Sequence, residues 1–244
     1  MSLPWGLWVH GDRCWSSPAA EIDHILDSQR RYKAMLADID VFYSRSDLRM
    51  FVDQCRAKAR AKLLAAYDQE SSTAAPREDL VLHAAAKIQV SPLNVAQLIE
   101  DYPGLVRRAS RGSLPLHVAA TAQGAEHLER LKPLLDAYPE AIATKDEHGL
   151  VPMQIALLHE ADADAVKLLV DSFPPALEYR FLPLPSAPAA YQLLVGLLPF
   201  HLACCCGCSL DVIFRLLLER PDVVSTACSE QVLPSESGRE QMIG

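Results

Sequence analysis

The sequence predicts an all-α chain in which one helix-turn-helix unit is used four times, behind a separate pair of amino-terminal helices. Three observations carry that expectation: a five-residue signature that recurs, a proline at a nearly fixed distance after it, and an amphipathic stripe between the two. The signature reads Val81-Leu82-His83-Ala84-Ala85, then Pro115-Leu116-His117-Val118-Ala119, Pro152-Met153-Gln154-Ile155-Ala156 and Pro199-Phe200-His201-Leu202-Ala203. Its third residues lie 34, 37 and 47 positions apart, and Pro103, Pro139, Pro174 and Pro221 follow them after 20, 22, 20 and 20 residues.

The elements follow in order. Ser17-Pro18 supplies an N-cap and a first helical residue for a helix running to about Asp38. A second helix is expected from Asp47 to Tyr67, with Leu48, Val52, Cys55, Ala59 and Leu63 on one side. No signature precedes this pair, so it is expected to act as a helical cap over the first unit. Each unit is then a short helix, a turn, a longer helix and an extended connection. The proline closes the longer helix because it has no N–H to donate and restricts the residue before it. Counting back eight, five, four and one from each proline gives Val95, Leu98, Ile99, Tyr102; Leu131, Leu134, Leu135, Tyr138; Val166, Leu169, Val170, Phe173; and Ile213, Leu216, Leu217, Arg220. Only Arg220 breaks the apolar stripe. The signature proline opens the next helix, and Gly112, Gly149 and Gly196, three residues before it, fit a turn needing positive φ. One such pair cannot bury its stripe alone, whereas stacked pairs share one core.

Two irregularities stand out. Pro133 lies inside the second unit's longer helix and is expected to delay or kink it. About a dozen residues are inserted near 178–197, including Pro183, Pro185 and Pro188. The domain plan is therefore a leader and cap over 1–75, four units over 76–224, and a degenerate or truncated fifth unit or tail over 225–244.

Composition bounds the function. The chain has 244 residues, 50% of them hydrophobic and 22% charged, with a formal charge of −8. That size buries a core without staples, and the acidity argues against general nucleic-acid binding. No apolar run is long enough to span a membrane, and Met1–Val9 has neither a basic region nor a cleavage site for secretion. Seven cysteines, four of them at 204, 205, 206 and 208, do not form a disulfide framework, so a reducing cytoplasm, or the nucleus, is expected.

The signature resembles the ankyrin repeat. Asp146-x-x-Gly149-x-Val151-Pro152-Met153-Gln154-x-Ala156 is similar to D-x-x-G-x-T-P-L-H-x-A, and the Gly112 and Gly196 segments match the same core. Departures are Val81 for the signature proline in the first unit, Gln154 for histidine in the third, and Tyr-Pro-x-Ala endings. The resemblance implies an ankyrin-like solenoid in which the signature imidazole bonds across the turn and holds neighbouring units in register. It also implies a non-enzymatic role in protein binding, through turn tips and first helices on the concave side. In this chain those partner-binding positions are Arg107, Arg108 and Arg111 in one turn and Lys145, Asp146, Glu147 and His148 in the next.

Other features have competing readings. Cys205-x-x-Cys208 with His201 and Cys228 has the composition of a zinc site, but Cys204, Cys205 and Cys206 point about 100° apart on a helix and cannot converge on one ion; packing is the expectation. Arg45, Arg49, Arg56, Lys58, Arg60 and Lys62 make the second helix basic, which reads as a solvated face because Asp47 and Asp53 interrupt it. Trp5, Trp8 and Trp15 either pin the leader to the body or form a short linear motif. The 178–197 insertion is either a recognition element or a tolerated loop. Phosphate-binding, zinc-protease, hydrolase and kinase signatures are absent. The expectation is thus a monomeric scaffold without cofactor that binds an unidentified protein. The alternatives are a targeting region of a larger enzyme or signalling protein, and a zinc or redox protein using the cysteines.

Overall fold

A computed structural model describes residues 16–37, 45–70, 78–123 and 126–224. The described part is all-α: no strand occurs in it, only an isolated bridge between Ser110 and Ser113. The leader tryptophans, Cys228 and the degenerate or truncated fifth unit or tail over 225–244 lie outside the described residues.

The amino-terminal helices are α1 (Pro18–Ala37) and α2 (Arg45–Glu70). Four helix pairs follow: α3 (Val81–Ile88) with α4 (Pro92–Asp101), α5 (Pro115–Ala120) with α6 (His127–Ala137), α7 (Pro152–Leu158) with α8 (Ala163–Ser172), and α9 (Pro199–Cys206) with α10 (Leu210–Glu219). The short helices pack in sequence, α3 on α5, α5 on α7 and α7 on α9. The longer ones do the same, α4 on α6, α6 on α8 and α8 on α10. At the amino-terminal end α1 lies on α4 and α2 on α3. No described helix is long and apolar enough to cross a membrane.

The stripes read from the sequence are the core. Val95, Leu98, Leu131, Leu134, Val166, Leu169 and Leu216 are all buried, and they join Leu82, Leu116, Met153 and Leu202 from the short helices in one continuous cluster. Each buried Leu or Val contributes roughly 1.5–3 kcal/mol by removal from water. The residue six past the signature His or Gln takes a left-handed conformation at Gln89 (φ 62°), Glu160 (φ 54°) and Gly207 (φ 76°). It closes the short helix by turning the chain towards the longer one.

Two local expectations need revising. The landmark prolines do not lead into extended chain: each opens a single 3₁₀ turn, at Pro103–Arg107, Pro139–Ala143, Pro174–Glu178 and Pro221–Val224. Its fixed φ suits the first position of such a turn, and the turn buries Val106, Ala141, Ala176 and Val223. Nor does the second longer helix start late: it spans His127–Ala137 with Pro133 inside it. Glu129, whose carbonyl Pro133 leaves unpaired, is exposed, so solvent can supply the missing donor.

Candidate functional site

The signature side chains tie each unit to the next. His117 sits in the first turn of α5, is 2% exposed, and accepts the Leu114 N–H on Nδ1 at 3.0 Å. Its Nε2–H donates to the Thr144 carbonyl of the following unit at 2.9 Å. A carbonyl only accepts, so both bonds together require the neutral ring with its proton on Nε2. Gln154 reproduces the arrangement with an amide: Oε1 accepts from Val151 N at 3.3 Å, and Nε2 donates to the Tyr179 and Arg180 carbonyls at 3.2 Å each. His83 keeps only the outward bond, to the Ser113 carbonyl at 2.9 Å, and its buried Nδ1 has no partner. The physical reason lies upstream, where Val81 replaces proline and Leu80 ends a 3₁₀ turn (φ −101°, ψ 10°) instead of adopting the extended N-cap of Leu114 and Val151. Burial pushes the pKa of both His83 and His117 below the ordinary imidazole value. His201 is half-buried, with its ring edge-on to Phe200.

Beyond these bonds the chain forms stacked tips. Ser110 and Ser113 exchange backbone hydrogen bonds at 2.8 and 2.9 Å across Arg111 (φ 52°) and Gly112 (φ 85°). Two consecutive positive φ values define a two-residue I′ hairpin. A Cβ on Gly112 would meet the Glu147 backbone at 3.1 Å, so this glycine serves both the turn and the approach of the next tip. In the second tip the Asp146 carboxylate accepts the N–H groups of His148 (2.9 Å) and Leu150 (2.8 Å).

The insertion is an enlarged third tip folded back over the second. It closes at its base, where Phe181 N donates to the Leu197 carbonyl and Gly196 N to the Phe181 carbonyl, each at 2.8 Å. Leu184 N donates to the His148 carbonyl at 2.7 Å, and Tyr191 meets the rings of His148 and Phe181 edge-on. Phe181 is fully buried, which anchors the loop to the core.

The seven residues expected at the tips therefore divide. Arg111, Lys145 and Glu147 present exposed side chains there. Arg107 ends a 3₁₀ turn with its guanidinium 5.1 Å from the centre of the Tyr138 ring, at the end of α6. Arg108 donates to Asp79, just before α3, at 2.8 Å. Asp146 is occupied in holding its own turn, and His148 is half-buried under Tyr191. Between the first two tips and the short helices lies a cleft of about 210 Å³. Thr121 and His159 line it alongside Glu147, His148 and Tyr191. The sequence reading missed Thr121, His159 and Tyr191. The signal for the first two was available, because both follow the signature His or Gln by four or five residues, at the end of the short helix.

The cysteines do not converge. Cys204 and Cys205 are exposed, Cys206 is half-buried, and the buried Cys208 thiol donates to the Leu157 carbonyl at 3.2 Å. Burial pushes the Cys208 thiol up to about 11, away from the range of a reactive thiolate. Among the described residues no three His, Cys, Asp or Glu side chains are placed to hold a metal ion.

No family model and no curated protein matches this chain. The functional reading therefore rests on the tips, the cleft and the stacking that positions them.

Proposed function

We propose that the chain is an ankyrin-like solenoid and works as a non-enzymatic protein-interaction scaffold. Its binding surface would be the row of tips and the cleft-facing ends of the short helices, with Arg111, Lys145, Glu147 and His159 making contact. The observation that carries this reading is the contrast between backbone and side chain at the tips. Their backbones are held by hairpin bonds, the Asp146 carboxylate and the signature bonds, while Arg111, Lys145 and Glu147 remain exposed. Preorganised backbone with solvated side chains lowers the entropy lost on docking. Arg107, Arg108, Asp146 and His148 act in this reading as supports of the surface.

The test is affinity capture from native cell extract with the intact chain, against an Arg111→Glu/Glu147→Lys variant, read by mass spectrometry. A partner held by the intact chain and lost from the variant, with the melting curve unchanged, is the expected result. A partner retained equally by both would move the binding surface elsewhere.

A further inference from the structure

The longer helices of the second and third units are polar on their outward side. Seven and three residues before the landmark proline stand Lys132 and Asp136 in α6, and Lys167 and Asp171 in α8, all exposed. The same two positions in α10 are Phe214 and Leu218, exposed at 61% and 60%, with Leu210 one turn earlier at 81%. The side of α10 that would meet a further unit is apolar as well: Ile213 and Leu217 are half-buried, whereas their counterparts Val166 and Val170 are buried. Another unit in the stack would cover Ile213 and Leu217 but leave Phe214 and Leu218 in water. A helix that is apolar on nearly every side is a buried helix.

We infer that α10 is a dimerisation helix, covered by α10 of a second copy of this chain in antiparallel, two-fold pairing. The pattern is self-complementary. At about 100° per residue, Leu210, Phe214 and Leu218 lie within roughly 40° of one line along the helix. Leu210 and Leu218 are also symmetric about Phe214. An antiparallel second copy sets Phe214 against Phe214 of the partner subunit and Leu210 against Leu218 of the partner subunit. Ile213 and Leu217 flank the line on one side, Asp211 and Arg215 on the other. The two-fold keeps like flanks together, so apolar meets apolar, and Asp211 meets Arg215 of the partner subunit. A head-to-tail arrangement would have to dock α10 on α1 and α2, which cover the opposite end of the stack, and not on another unit. Such a pairing buries on the order of 1,000 Å² in total, the size of weak, reversible interfaces, so a concentration-dependent dimer is expected, with a dissociation constant taken as roughly micromolar.

The test is sedimentation equilibrium of the full chain from about 1 to 200 micromolar, a range that brackets that constant. The same runs are made on Phe214→Lys/Leu218→Asp, which restores the residues of the earlier units, and on Leu210→Lys as a second variant. The expected result is a wild-type mass rising to twice 26.8 kDa with concentration. Both variants should stay at the single-chain mass over the same range, a weakening of more than about a hundredfold, and should melt like the wild type at or below about 1 micromolar, where pairing adds little to stability. A wild-type chain that remains single throughout would overturn the proposal and assign the face to residues beyond Val224 or to another protein. A dimer that persists unchanged in both variants would overturn it too, by placing the contact off α10.

Discussion

The two kinds of junction in this molecule are built from different chemistry. Between units the contact is apolar stripe on apolar stripe, supplemented by one imidazole or amide bonded to a backbone carbonyl. Because the acceptor is main chain, the bond makes no demand on the neighbour's sequence, and the same joint serves at His83, His117 and Gln154. The junction between the amino-terminal helices and the first unit is specified by side chains at both ends. Asp101, at the end of α4 and with its side chain only 3% exposed, accepts from Gln29 (2.7 Å), Lys33 (2.6 Å) and Arg56 (3.1 Å). Asp23 accepts from Ser91 N and from the Asn94 amide, and Asn94 in turn accepts from Arg30. A joint of the first kind can be repeated, while one of the second kind fits a single site and ends the array.

The deepest break in that comparison is in the shared core. Leu169 is fully buried between α8 and its neighbours, and Leu169→Asp puts an unpaired carboxylate there at a cost of about 4 kcal/mol or more. The expected outcome is loss of the cooperative melting transition followed by far-ultraviolet circular dichroism. A variant that melts like the wild type would refute the stripe register itself.

The polar junction should break more locally. Asp101→Ala strips two cations and the buried Gln29 amide of their common acceptor, and is expected to cost about 3 kcal/mol. Limited proteolysis should then cut within α1 and α2 well before the four units. Cleavage that begins uniformly along the chain would mean that the helices fold as one indivisible block.

Sequence reading reached the repeated joint and missed the unique one for the same reason. Prolines, stripes and signature residues are local and recur, so each copy checks the others. Asp101 and Lys33 are 68 positions apart, Asn94 and Asp23 are 71 apart, and neither pair has a second copy. The tips show the same limit. Gly112 and Gly149 mark turns from sequence alone, and an Asp bonding the N–H groups two and four residues ahead, as Asp146 does, is a local pattern too, but nothing local tells which tip side chains stay exposed. Nor does anything local tell that Tyr191 will lie against His148, 43 residues before it. The basic second helix is a partial case: Arg56 and Lys62 are used within the fold, on Asp101 and on Glu21 at 2.7 Å.

The smallest expected effect is the sharpest test of the repeated joint. Gln154 makes with an amide the two bonds that His117 makes with a neutral ring, so His117→Gln should shift stability at pH 7 by less than about 1 kcal/mol. Below the unfolded imidazole pKa of about 6.5 the two proteins should part. Burial holds His83, His117 and His127 below that value in the fold. The unfolded chain therefore takes up protons that the native state refuses. The stability from these neutral rings is fully present above about pH 6.5 and is lost as the pH falls towards their folded pKa values. Each depressed histidine contributes up to about 1.4 kcal/mol per pH unit to that decline. Urea titrations from pH 7 to 5 should show His117→Gln losing stability less steeply by about one such increment, with His83 and His127 still titrating. An equal slope in both proteins would mean that His117 takes up a proton as readily in the fold as in the unfolded chain, so that the bond from Leu114 to Nδ1 adds nothing to the joint and packing alone holds it.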